Sequence, residues 1–153
     1  MADYEKVAEI QAKLTPQYIA GFFDGEGSIT VTKDLCIQVV IGQNDEDILI
    51  AIANFFGSGT LSAPKIRRGH KQCYVLRWCS KKATSVLERI LPYLVLKRYR
   101  AELAIKAQSF VVHAHAGKPV PRENREKREL LAKEIKGIND SHWSRRPNNE
   151  AVN

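Results

Sequence analysis

Residues Tyr18 to Gly27 read YIAGFFDGEG, an apolar run with small residues inside it that stops on two carboxylates set among glycines. Thr15 followed by Pro16 predicts an N-cap with proline at the first helical position. From there Ile19, Phe22 and Phe23 fall at helical spacing and can face a core, while Ala20 and Gly21 leave the other side nearly bare. A bare side lets a second backbone approach closely. Glycine inside a helix costs about 1 kcal/mol relative to alanine, so close packing must offset it. Gly25 and Gly27 are expected to take positive φ and end the helix. Asp24 and Glu26 then sit at a helix C-terminus, where the macrodipole disfavours anions. A divalent cation held by carboxylate and free carbonyl oxygens resolves that conflict. Spacing alone leaves a plainer alternative open, in which Asp24 caps a local turn and Glu26 is a solvated loop acid.

The flanking patterns predict an α+β chain. Asp3–Leu14 reads as a short helix through Val7, Ile10 and Leu14. Ser28 to Thr32 alternates as a strand, Lys33-Asp34 as a turn, and Leu35 to Ile41 as a second strand. Asp45 to Phe56 reads as a helix closed by Gly57. Gly59 to Ile66 and Lys71 to Cys79 read as a second hairpin, and Ser80 as the cap of a helix over Lys81 to Leu91. Longer helices are predicted from Lys97 to Ala116 and from Glu123 to Lys136, with a loosely ordered tail after Ser141. Helix, hairpin, helix, hairpin, helix is the order of a domain with helices on one face of an antiparallel sheet. The expected divisions are an N-terminal helical extension over 1–15, a core domain over 16–116, and a C-terminal helix and tail over 117–153.

A chain of 153 residues suffices for one core. Its 24 Lys and Arg against 17 Asp and Glu favour a polyanionic partner such as nucleic acid. Cys36, Cys73 and Cys79 lie in strand-like runs without CxxC spacing, which predicts buried or half-buried thiols rather than a disulfide or zinc site. No apolar run approaches membrane-spanning length. The expectation is a soluble intracellular protein, without a membrane partner, in a prokaryotic cytoplasm or an organelle.

Ile19 to Gly27, IAGFFDGEG, resembles the nine-residue signature of the LAGLIDADG homing endonucleases. The small pair, the aromatic pair, both acids and the final glycine match. The departures are Ile19 for leucine, Gly25 where alanine is common, and Glu26 where aspartate is usual. The resemblance spans roughly Pro16 to Ala107 and implies the αββαββα fold, whose antiparallel sheet forms a saddle for DNA, here with extra C-terminal helices. It implies that Glu26 is the catalytic acid and metal ligand, that Gly25 offers a carbonyl to the metal, and that Asp24 holds the helix junction. It further implies that Gln43 orders water or the metal shell and that Lys97 is the active-site cation. A plainer reading of Lys97 is the first turn of a surface helix, with Arg98 and Arg100 on phosphate. Magnesium is the implied cofactor, and Mn2+ or Ca2+ could occupy the same site.

The signature occurs once, which in this family implies a homodimer. A helix face of small residues also needs a matching face, and a two-fold interface supplies it. The expected dimer interface is Ile19, Ala20, Gly21, Phe23 and Asp24. A β-ribbon fits the DNA major groove, so the sheet face opposite the apolar alternation is expected to bind DNA. Its candidates are Ser28, Thr30, Thr32, Gln38 and Arg77, joined by Lys65, Arg67, Arg68, His70 and Lys71 from the second hairpin. Polar residues on an outer sheet face are usual in any antiparallel domain. His113 and His115 are expected to cap or hydrate a helix end, and the run from Arg122 to Lys136 to form a solvated helix. The resulting expectation is an intron-encoded, magnesium-dependent homodimer that hydrolyses both strands of a long, pseudo-palindromic double-stranded DNA site. The alternatives are an RNA-binding intron maturase on the same scaffold and a non-cleaving DNA-binding regulator.

Overall fold

The computed structural model describes residues 2–65, 69, 71–111 and 119–144, and the side chains of these up to residue 141. Helix α1 (Tyr4–Lys13) leads through Thr15 into α2 (Pro16–Glu26), which continues directly into β1 (Gly27–Val31). Then follow β2 (Ile37–Gln43), α3 (Glu46–Phe56), β3 (Thr60–Ser62), β4 (Tyr74–Cys79) and α4 (Ser80–Ile90). A short 3-10 turn (Leu91–Tyr93) precedes α5 (Arg98–Ser109), and α6 (Arg122–Ser144) closes the described chain. The four strands form one antiparallel sheet in the order β1-β2-β4-β3. Helices cover one face. No described helix is long and apolar enough to cross a membrane.

Alternation in the strands sorts side chains between two faces. Ile29, Ile37, Val39, Ile41, Leu76 and Trp78 are buried beneath the helices. Against them pack Ile19, Ala20 and Phe23 of α2, Leu49 and Ile52 of α3, Leu87 and Ile90 of α4, and Ala104 of α5. Val7 of α1 and Ile135 of α6 belong to the same cluster. The helix ends follow from their caps. Asp3 accepts the Glu5 and Lys6 N–H groups, Thr15 accepts that of Tyr18, and Asp45 accepts that of Asp47. Gly57 ends α3 with φ 64°, the left-handed conformation that favours glycine.

Several expectations need correction. Neither Gly25 nor Gly27 takes positive φ: Gly25 lies inside α2, and Gly27 is extended at φ −84°, ψ 159°. Gly27 is needed for space instead, because a Cβ there would fall 2.0 Å from the Phe23 ring. Ser80 does not cap α4. Cys79 holds that position without a side-chain cap bond, while Ser80 sits at φ 51° with its hydroxyl 3.2 Å from Cys36 Sγ. Cys73 and Cys79 are exposed, because both fall on the outer parity of their strand run, and Cys36 is half-buried. Helix α5 stops at Ser109, while α6 runs on through Ser144, past the tail boundary expected after Ser141. His113 and His115 lie outside the described residues.

Candidate active site and nucleic-acid face

The direct passage from α2 into β1 puts Glu26 at the joint between a helix and the sheet. Its carboxylate is exposed and makes no hydrogen bond or ion pair among the described residues. Asp24 is committed elsewhere. Its Oδ2 accepts the Val95 and Leu96 N–H groups at 2.8 and 3.2 Å, and its Oδ1 accepts that of Lys97 at 2.9 Å. Lys97 occupies the N-cap position of α5, so Asp24 supplies a carboxylate where that helix begins and its dipole favours one. Lys97 returns the contact, donating from Nζ to the Asp24 carbonyl. That places an ammonium on the C-terminal carbonyls of α2, where the dipole favours a cation. The two helix ends therefore clasp each other with opposite charges.

Lys97 is only 9% exposed, and its ammonium lies 6.0 Å from the centre of the Phe23 ring. Burial pushes its pKa below the ordinary lysine value and Arg100 adds to this, while Asp24 and Glu26 act in the opposite direction. Arg100 does not stand free on the surface. Half-buried, it donates to Asn139 Oδ1 at 2.8 Å, and Asn139 in turn donates to the Ile29 carbonyl of β1 at 3.0 Å. Arg100 thus belongs to the inner surroundings of Asp24 and Lys97, where burial also lowers its pKa. Arg98 is exposed and paired with Glu102 at 3.1 Å. Asn139 carries no sequence signal, since it lies 110 residues from the strand it serves.

Gln43 ends β2 at the same end of the sheet as Glu26, since Gly27 pairs with Ile41. Its Oε1 accepts the Asn44 N–H at 2.7 Å, and no hydrogen bond joins it to Glu26. It shares Ile41's parity and lines an apolar cavity of about 500 Å³ with Leu14, Tyr18, Phe22 and Ile48.

The donor set suits a hard divalent cation. Glu26 contributes an unpaired carboxylate, and the Gly25 carbonyl lies in the last turn of α2, whose carbonyls have no further helical partners. Magnesium keeps much of its shell for water and phosphate, so few protein oxygens suffice. No group of three or more His, Cys, Asp or Glu side chains that could cage a metal occurs among the described residues.

Three of the residues expected at an interface on α2 face the core. Ile19, Ala20 and Phe23 are each 0% exposed within the single chain, so they cannot meet a partner. At about 100° per residue these three share the core side, which turns Tyr18, Gly21 and Gly25 outward. A Cβ at Gly21 or Gly25 would meet nothing within 4 Å. Asp24 serves the junction inside the chain. Beside it, Tyr93, Val95 and Leu96 expose large apolar side chains.

On the outer sheet face, register aligns Ser28, Val40, Arg77 and Thr60 in one row across all four strands. Thr30, Gln38 and Cys79 form the row beyond. Ser28, Thr30, Gln38 and Arg77 therefore share a surface as expected, and Thr32 follows just past β1. Thr60 joins them, and the alternation of the second hairpin could have identified it. Lys65 and Lys71 are exposed in the β3–β4 connection, whose legs Gln72 ties by donating to the Pro64 carbonyl. Arg67, Arg68 and His70 lie outside the described residues.

A family model described as LAGLIDADG endonuclease matches residues 19–106. The chain belongs to the LAGLIDADG endonuclease family. Its fold is that of solved homing endonucleases. It is similar to I-CvuI in complex with the I-CreI target in 2 mM Mg with the DNA not cleaved, at 21% identity over 85% of this chain and 83% of that one, TM-score 0.63. It is similar to the archaeal intron-encoded I-Vdi141I complexed with DNA, at 20% identity over 80% and 82%, TM-score 0.64. I-SmaMI bound to cleaved DNA matches at 19% identity over 84% of this chain but 49% of that one, TM-score 0.61. No curated protein sequence matches the chain.

Proposed function

We propose that this LAGLIDADG protein is a site-specific homing endonuclease that acts as a homodimer and hydrolyses both strands of a long, pseudo-palindromic DNA site, as an intron-encoded enzyme would. The observation that carries this is Glu26: an exposed, unpaired carboxylate on a helix-to-strand joint, beside an outward face where Gly21 and Gly25 carry no side chain. Gly21 and Gly25 leave room for a second α2, and Tyr18, Tyr93, Val95 and Leu96 supply apolar area around them. A two-fold axis there would bring two Glu26 side chains together, one for each strand. The half-length match to I-SmaMI, against the nearly full match to I-CvuI, supports a single-motif chain that needs its own copy.

Glu26 and the Gly25 carbonyl would hold the divalent ion, Mg2+ in the first instance. When bound, such an ion polarises the phosphodiester and makes an attacking water more acidic. Lys97 stands behind the site as a fixed cation that stabilises charge developing on phosphate. Asp24 fixes Lys97 and the start of α5, and Arg100 is braced by Asn139. Gln43 stands at the right end of the sheet to order water once its amide leaves Asn44.

The test is incubation of the chain with a randomised duplex pool and magnesium. Double-strand cuts at a two-fold repeated sequence are expected, and Glu26→Gln should bind that sequence without cutting it. Binding to folded RNA alone would overturn this reading in favour of a maturase. Sequence-specific duplex binding with no cutting by the wild type would favour a regulator.

A further inference from the structure

The outer sheet face contains no carboxylate among its described strand positions, and most of its side chains are polar or cationic. Its exception is local. Val40 lies opposite Arg77, and Val75 lies opposite Gly42, so the two valines are diagonal neighbours across β2 and β4. Both are half-buried. Gly42 adds no side chain between them, and packing does not require it to be glycine. A Cβ there would meet Cys73 Sγ at 3.7 Å, an ordinary contact. The three residues leave a shallow apolar notch on a surface otherwise suited to a polyanion.

Register fixes where the notch lies. Gly27 pairs with Ile41, so Gly42 stands level with Glu26, at the end of the sheet nearest the proposed cut. Gln38 lies two residues beyond Val40, about 6.8 Å farther out along the strand. That distance equals about two steps of the DNA backbone. Polar base edges and phosphates lose hydration against valine without gaining a partner. The major groove presents one apolar group, the C5-methyl of thymine.

We propose that the notch formed by Val40, Gly42 and Val75 reads a 5-methylpyrimidine, thymine in unmodified DNA, at a position in each half-site closer to the cut than the base met by Gln38. This rests on the reading of the outer sheet as the DNA-binding face. Arg77, beside Val40 in the same row, meets a neighbouring base or phosphate, and its contribution is independent of the methyl group.

The experiment uses the full-length Glu26→Gln chain and duplexes selected from a random pool. Each thymine of the selected site is replaced in turn by deoxyuridine, which lacks only the methyl group. Binding should weaken about fourfold per half-site at one inner position, the worth of one buried methyl. Val40→Thr and Val75→Thr keep the side-chain shape, and with them the deoxyuridine penalty should vanish, while Arg77→Ala should weaken binding and leave the penalty intact. Thermal unfolding of each variant checks that it is folded. Tight binding that is indifferent to deoxyuridine at every position overturns the proposal and leaves the endonuclease reading standing, as does a penalty that persists in both valine variants. Failure to bind any duplex removes both.

Discussion

Gly21 and Gly27 lie six residues apart and answer to different constraints. Gly27 sits over the Phe23 ring, so Gly27→Ala must push apart a buried aromatic and the start of β1. A loss of about 1–3 kcal/mol is expected in urea unfolding, as for other overpacked sites. Gly21 faces open space. Gly21→Ala should therefore stabilise the single chain by about 1 kcal/mol through helix propensity, yet weaken self-association measured by sedimentation. Unchanged association in Gly21→Leu would remove α2 from the proposed interface. Asp24 accepts three backbone N–H groups, the one from Lys97 part-buried, so Asp24→Ala should cost about 1.5–3 kcal/mol through the loss of charge-assisted bonds. The signature resemblance gave Asp24 the helix junction, but it did not distinguish the roles of the two glycines. It marked the small residues as a set, but which of them meet solvent depends on the angular position of each around α2, and that is fixed only when Ile19, Ala20 and Phe23 find the core.

Elements were largely legible from periodicity and caps. Thr15-Pro16, Asp45 and Gly57 each marked a true helix boundary, and alternation assigned Tyr74 to Cys79 correctly to its two faces. What failed was set by distant contacts. Ser80 takes an unusual backbone angle beside Cys36, a neighbour 44 residues away, and α6 extends past its charged stretch because Ile135 and Asn139 reach the core and β1. The α1–α3 contact gives a pH prediction. Lys6 lies 2.8 Å from Asp47 and 2.9 Å from Asp45, and Asp47 Oδ1 also accepts the Asp3 N–H. The hydrogen bond from Lys6 holds the Asp47 pKa below its ordinary value of 3.8. A carboxylate whose folded pKa is depressed contributes stability above its unfolded pKa and loses it as pH falls through the folded value. Asp47→Asn should therefore flatten the acid limb of the stability profile below about pH 4 and leave the slope above pH 5 unchanged.

For the whole molecule, charge and sheet geometry act together. The formal net charge is +7, and the described strand positions of the outer face carry no carboxylate. Affinity for DNA should fall steeply between 50 and 200 mM salt, on the order of a hundredfold or more for a dimer making several phosphate contacts. Replacing Arg77 or Lys71 by alanine would lower that slope only if the residue meets phosphate. The β1 edge of the sheet is shielded by α6 through Asn139 and Ile135. Deleting residues 122–144 should uncover a strand edge and produce aggregation visible by light scattering.

The uninterrupted step from Glu26 to Gly27 has a practical corollary for anyone redesigning specificity. No loop separates the carboxylate proposed to react from the first strand of the sheet proposed to meet the base edges. A poorly seated groove would tilt the acid along with the strand. Engineered variants aimed at new sequences should therefore lose turnover before they lose occupancy, and screens that score binding alone would select slow enzymes.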